Sequence, residues 1–389
     1  MRRTVLYAAF DVFPSSKGAA THISHMFEAM QDVFSEAEIF TLGSEESRLN
    51  DWHTVCETNE LNYLRRSEAF TSRLTAFING RKHLQLFHYR DIWSGLALIK
   101  SKKNISSIFE VNGLPSIELP YRYTHLGPKT LNKIRQLENT CLQQATQIVT
   151  PSQVTAEYLT SDREVAPDKI VIIPNGAVIA VPKSIPFGLP KKYLIYFGAL
   201  QPWQGLDVLV KALGYLKDLE DLKLVIAASN PEKQARPFQK LISRLNLEHQ
   251  VIWKFQLPKD ELNNWIQNAS ISVAPLKECS RNVIQGCSPL KIIESMAAGT
   301  PVIASDLAPV REIVQDKING RLVRPDRPAD LARMIRVMID FPANATKIGQ
   351  AGKVHIEKYY QLKIQKRKLK QLYNKLTTTD KPAFYRWIA

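Results

Sequence analysis

Within residues 278–306, ECSRNVIQGCSPLKIIESMAAGTPVIASD, three polar residues recur at three-residue steps: Ser288, Lys291 and Glu294. On a helix such positions share one face. Ser288 before Pro289 fits an N-cap followed by proline in the first turn, and Gly299 after Ala298 fits the helix stop. Leu290, Ile293 and Ala297 would form the core face of that helix. A helix N-terminus offers unpaired N–H groups and the positive end of the dipole, a ready anion site. Lys291 adds a full charge there, and Glu294, one turn on, is placed to accept hydrogen bonds from a vicinal diol such as a ribose. An anion site beside a diol site describes a nucleotide. A capped surface helix with an ordinary Lys–Glu pair would use the same residue types, so the surrounding elements must decide.

Other polar residues fall where strands should end. Arg90 and Asp91 follow the run LQLFHY, Glu110 lies at the end of the run SSIFEV, and Asn112 and Glu118 follow it. Strand C-termini that face a crevice hold ligands in open α/β sheets, although polar residues there also cap neighbouring helices. His22 and His25 lie one turn apart after a glycine-bearing loop. There is no HExxH and no Asp-rich cluster, so no dedicated metal site is expected. The four cysteines, Cys56, Cys141, Cys279 and Cys287, form no CxxC pair and read as buried or half-buried thiols.

The elements that must position these residues alternate between strand and helix. TVLYAAF (4–10), AEIFTL (37–42), LQLFHY (84–89), SSIFEV (106–111), TQIVTP (146–151) and KIVIIP (169–174) read as buried strands. Helical spacing runs over 20–30 and Lys129–Gln144. The proline-rich stretch Val181–Pro190 reads as a linker. The alternation then restarts with KYLIYFG (192–198), LKLVIAA (222–228), QVIWKF (250–255), SISVAP (270–275) and TPVIAS (300–305). Two doubly wound parallel halves would leave a cleft between their strand C-termini.

A chain of 389 residues suits two domains, and 44% hydrophobic with 23% charged residues reads as globular. No apolar run approaches the roughly 18 residues of a membrane span. The basic start breaks at Asp11 and Pro14, which reads as a mature cytoplasmic N-terminus. The net charge of +15 points to polyanionic partners. No nucleic-acid-binding motif accompanies it, so nucleic acid is not expected. The densest cations, Lys363, Lys366, Arg367, Lys368 and Lys370, are interleaved with Tyr359, Tyr360, Leu362, Leu369, Leu372 and Tyr373. That pattern reads as a surface-lying amphipathic helix with two readings left open: a solvated cationic face, or attraction to anionic lipid that would make the protein peripheral on the inner membrane face.

The segment SPLKIIESMAAGTPVIASD resembles the donor-nucleotide signature of the family-4 glycosyltransferases of GT-B fold. SSKGAATH (15–22), VNGLPSIELPYRY (111–123), VTPS (149–152), IPNG (173–176) and YFGALQPWQGLDVLVKAL (196–213) match in order, so the resemblance covers nearly the whole chain. It implies an acceptor-side domain over 1–180, a nucleotide-sugar domain over 181–355 and a helix over 356–389 that crosses back. It also implies a retaining, metal-independent hexosyl transfer, needing no cofactor, from a nucleotide-sugar to a glycan, lipid-linked or other hydroxyl acceptor. Ser288, Pro289, Leu290 and Lys291 would hold the diphosphate, Glu294 the ribose, and Gly198 and Gln204 would stay on the donor side. Gly18 and Ala19 would let the other backbone approach closely. His22, Arg90, Glu110 and Glu118 would face the acceptor.

Four positions depart from the family pattern. Gly286 stands where an acid precedes the ribose-binding glutamate by eight residues. Ala199 and Gln204 stand where an arginine and a lysine are usual, and Asn112 stands for a histidine. Losing cations beside a diphosphate removes charge stabilisation in the transition state. Arg281 is the nearest replacement, since a guanidinium suits bidentate phosphate binding. Asn282 or Glu278 would take over sugar-hydroxyl contacts. With Lys291, Arg281 and Asn112 as the catalytic set, two rival readings remain: a non-catalytic nucleotide-sugar-binding relative, and a nucleotide-sugar epimerase.

Overall fold

The computed structural model describes residues 4–15, 17–179 and 188–378. Most of the linker expected at 181–190 lies outside them. The first sheet contains β1 (Thr4–Val12), β2 (Ala37–Leu42), β3 (His53–Cys56), β4 (Leu84–Tyr89), β5 (Ser106–Glu110), β6 (Gln147–Thr150) and β7 (Ile170–Ile172). Its spatial order is β3-β2-β1-β4-β5-β6-β7, with every pair parallel. The second contains β8 (Lys192–Gly198), β9 (Leu222–Ala228), β10 (Val251–Phe255), β11 (Ile271–Ala274), β12 (Val302–Ser305) and β13 (Arg321–Val323). It runs β10-β9-β8-β11-β12-β13, also all parallel.

The central strands are apolar on both faces. Val5 to Ala9 and Leu194 to Tyr196 are fully buried, as strands covered by helices on either side must be. Each sheet reverses its winding once, between β1 and β4 and between β8 and β11. Ligands in such sheets bind outside the strand C-termini at that switch point. Asp11, Arg90, Gly198 and Leu276 lie at these ends, and all four line one shared cleft.

The last described helix, Leu362–Thr378, returns to the N-terminal half and packs on helix Gly18–Gln31. Leu369, Leu372 and Tyr373 are buried with Ile23, Phe27 and Met30 in one core cluster. Lys366 pairs with Glu28 and Lys370 with Asp32. The apolar face of that segment is therefore covered by the protein's own core and is not free to meet lipid. Its apolar residues are interleaved at helical spacing because they complete the protein core, and only Lys363, Arg367 and Lys368 of its clustered cations stay exposed. Among the described residues no helix is long and apolar enough to cross a membrane.

Candidate active site

A cleft of about 1480 Å³ separates the two sheets and is lined by both halves. Helix Leu290–Ala297 points its N-terminus into it. The helix begins one residue later than the sequence suggests, with Pro289 in the cap position and no side-chain cap. The Ser288 hydroxyl instead accepts the Asn175 N–H at 3.1 Å, and the Ser288 carbonyl accepts Asn175 Nδ2 at 2.6 Å. The core face is Ile292, Ile293, Met296 and Ala297. Leu290 turns into the cleft, where its Cδ1 would lie 3.6 Å from a Cβ built on Gly18. Helix Gly18–Gln31 starts there, so two helix N-termini converge on one spot.

Lys291 is buried, and its Nζ has no hydrogen-bond partner among the described residues. It rests 4.1 Å from the centroid of the Tyr196 ring, and burial pushes its pKa down to about 7. Glu294 lines the same cleft, and burial pushes its carboxyl up to about 7 against the opposing field of Lys259. A bound anion would supply the partner that the buried Lys291 ammonium lacks, and a diol could donate to the half-buried Glu294 carboxylate one turn on. Gly198 at the end of β8 has φ +110°, and a Cβ there would meet Lys291 Cε at 3.9 Å. Gln204 also lines the cleft, with its Oε1 buried and without a hydrogen-bond partner among the described residues.

On the opposite wall, Glu110 is a buried hub. Tyr7 Oη donates to it at 2.9 Å, Arg90 Nη1 at 3.0 Å, and Asn112 Nδ2 donates as well. His22 Nε2 lies 2.6 Å away and His88 Nε2 3.4 Å away. Burial opposes ionisation of Glu110, but His22, His88 and Arg90 outweigh it and hold the carboxyl well below the usual range. From this hub the contacts run to the donor helix: His22 Nδ1 lies 2.7 Å from Asn175 Oδ1, and Asn175 holds Ser288. Glu110 therefore sits beneath the cleft and orients His22, Arg90 and Asn112, which do line it. Direct contact with an acceptor, the expectation for Glu110, does not fit its burial.

Three donor-side expectations also change. Asn282 is fully buried and donates to the carbonyls of Trp203 and Lys277 at 3.0 and 2.8 Å, so its amide ties loops together and does not reach the cleft. Glu278 is exposed outside the cleft. Gly286, at φ +79°, lies against the other domain, where a Cβ would be 2.8 Å from Thr155 Oγ1 and 2.9 Å from Ser152 Oγ. No acid fits there in this arrangement. Arg281 does line the cleft, but its Nε donates to Glu118 Oε1 at 3.1 Å. Glu118 also accepts Gln285 Nε2 at 3.1 Å, while Gln285 Oε1 accepts the Leu114 N–H at 2.7 Å. Arg281 and Glu118 thus meet as a bond across the cleft. Ala19 lines it beside Gly18.

Sequence reasoning missed three junction residues: Asn175, Gln285 and Trp203, whose ring lies 5.8 Å from that of Tyr121 in the other half. All three lie in segments singled out for their resemblance (IPNG, RNVIQG and PWQG), but nothing in one dimension pairs them with their partners.

Two facing parallel-sheet domains with a nucleotide-sized cleft are the GT-B arrangement. The profile described as "Glycosyl transferases group 1" matches residues 180–355, and that described as "Glycosyltransferase Family 4" matches residues 16–180. The chain belongs to the family-4 glycosyltransferases. It is 34% identical over 180 residues to a D-inositol 3-phosphate glycosyltransferase of Streptomyces avermitilis, covering 44% of this chain and 37% of that protein. An uncharacterised glycosyltransferase of Methanocaldococcus jannaschii is 25% identical over 240 residues, covering 58% of this chain and 59% of the relative. The matches thus span between about a third and three-fifths of those curated relatives' lengths. Among solved structures, sucrose-phosphate synthase of Thermosynechococcus elongatus superposes with a TM-score of 0.79 at 18% identity, over 97% of this chain and 100% of that one. Anabaena HepE in complex with UDP-glucose gives 0.76 at 15% identity, over 96% and 100%. These likenesses establish the fold.

Proposed function

We propose that this chain is a retaining hexosyltransferase that takes its sugar from a nucleotide-sugar held on the C-terminal half. The acceptor is a hydroxyl of a carbohydrate or lipid-linked molecule bound on the N-terminal half. The observation that carries this reading is Lys291: a buried ammonium without a partner, at an open helix N-terminus, one turn before Glu294. The relatives named as D-inositol 3-phosphate glycosyltransferases and the UDP and UDP-glucose complexes of HepE support it.

In the reaction the bond from the anomeric carbon to the diphosphate oxygen breaks. Lys291 and the amides of helix Leu290–Ala297 stabilise the charge that develops on the leaving oxygen. That oxygen takes the acceptor's proton as the acceptor oxygen bonds the same face of the sugar, which retains configuration. No resident metal or cofactor enters the scheme. Asn112 and His22, both braced by Glu110, face the reacting groups from the N-terminal half.

The test is release of free nucleotide diphosphate from UDP-, GDP- and ADP-sugars in the presence of mixed saccharide acceptors. Lys291→Ala should lower the rate by roughly 100- to 1000-fold, the scale of losing one preorganised donor. Equal rates in the two proteins would refute the assignment, and proton NMR of the product would check the anomeric configuration. The engagement of Arg281 by Glu118 favours one second reading, a binding protein without turnover, which the same assay separates as nucleotide binding with no release. Any attraction to anionic membranes from Lys363, Arg367 and Lys368 would be purely electrostatic, and sedimentation with anionic vesicles should lose it on adding salt.

A further inference from the structure

The N-terminal side of the cleft carries an aromatic wall that the donor chemistry does not use. Phe10, Tyr63, Trp93 and Tyr123 line it. The Tyr63 ring lies 5.6 Å from Phe10, 6.1 Å from Trp93 and 5.6 Å from Tyr123, centroid to centroid. Trp93 Nε1 donates to Tyr63 Oη at 3.0 Å, which fixes both rings. Planar polar groups border the rings. Arg90 Nε donates to Asp11 at 3.1 Å, and Asp91 accepts the Phe10 N–H at 2.6 Å. All three of these charged residues line the cleft with the wall.

We propose that this wall is the acceptor subsite and that it takes a neutral saccharide. A pyranose ring stacks by its C–H face on Tyr63 and Tyr123, and its hydroxyls meet Asp11, Arg90 and Asp91. The inference rests on the transferase reading and adds the acceptor's class to it. An alkyl chain would cover the rings equally well, but it would strip water from the half-exposed Asp11 carboxylate and the edge of Arg90 without replacing those hydrogen bonds; Asp91 is already satisfied by Phe10 and Ser94. Beside the rings an anionic acceptor would meet the carboxylates of Asp11 and Asp91, while Arg90 is ion-paired and Arg122 lies over the Trp203 ring; Lys17 and Lys259 also line the cleft, which makes glucose 6-phosphate the discriminating ligand. A neutral polyol with an apolar ring face satisfies both kinds of surface.

The experiment is titration of the full chain by saturation-transfer NMR with cellobiose and maltose, beside n-octanol and glucose 6-phosphate. Nucleotide binding is read separately as a thermal shift with UDP, GDP and ADP. The neutral disaccharides should bind, Tyr123→Ala should weaken them by roughly five- to tenfold, and Tyr123→Phe should restore them. The nucleotide shift should be the same in all three proteins. Disaccharide binding indifferent to Tyr123→Ala, or octanol or glucose 6-phosphate binding that this variant abolishes in place of the disaccharides, would overturn the subsite. A chain that binds nucleotide but no neutral saccharide overturns the subsite alone. A chain that binds disaccharide at the wall but no nucleotide overturns the transferase reading and leaves the wall standing.

Discussion

At the scale of single residues, the donor site is defined by groups that lack partners. Burial brings Lys291 and Glu294 toward neutrality from opposite sides, each to about 7. A diphosphate favours the protonated lysine, so affinity should fall as pH rises above about 7. Ribose hydroxyls favour the ionised glutamate, so affinity should also fall as pH drops below about 7. Calorimetric titration across pH should give a bell for nucleotide binding. Glu294→Gln should flatten the acid limb and Lys291→Met the alkaline limb. A flat profile in the native protein would mean that neither group meets the ligand. Lys291 and Glu294 were legible together because helix spacing places them on one face, whereas Ser288 lies before the helix and is held by Asn175. Gln204 was legible as a departure, but its buried, unpartnered oxygen depends on packing that no spacing rule encodes.

At the scale of elements, the sequence departures acquire physical reasons. Gly286 replaces an acid because the loop before the donor helix presses on the start of helix Gln153–Arg163. Gly286→Asp puts a side chain both at positive φ and within 3.0 Å of Thr155. It should lower stability by about 1–3 kcal/mol, read as a fall in the thermal midpoint, and it should not raise activity. An unchanged midpoint would contradict this packing. Glu312 reaches the same helix from the other domain, accepting the N–H groups of Gln153 and Val154 at 3.0 and 3.1 Å. Strands such as Ala37–Leu42 and Lys192–Gly198 could be read to the residue, since a buried parallel strand is a continuous apolar run. The edge strands His53–Cys56 and Arg321–Val323 escaped, being three or four residues with no pattern to count. The terminal helix was recognised by its spacing, but an amphipathic pattern does not say which apolar surface covers it, and only the resemblance placed it against the N-terminal half.

At the scale of the whole molecule, the domains are held by bonds at the cleft itself: Arg281 and Gln285 to Glu118, and Asn175 to Ser288. Any opening of the cleft would have to break these contacts. Arg281→Ala should shift the free protein toward an open form, seen as a larger radius of gyration in small-angle scattering, with added nucleotide-sugar restoring compactness. An identical radius in both proteins would remove the latch from the account. The two-domain plan was legible from the strand–helix alternation and its restart. The hub joining Tyr7, His22, His88 and Glu110 was not, because its members come from separate elements that meet only when the sheet forms. The most direct test of the central claim is nucleotide binding by the native chain and by Glu294→Ala, measured as thermal shifts with UDP, GDP, ADP and their sugars. One nucleotide class should stabilise the native protein, and Glu294→Ala should bind it about 10- to 100-fold more weakly, the cost of losing hydrogen bonds to a charged group, while keeping its own melting temperature. Stabilisation by no nucleotide, or equal stabilisation of both proteins, would contradict the assignment of this cleft to a nucleotide-sugar.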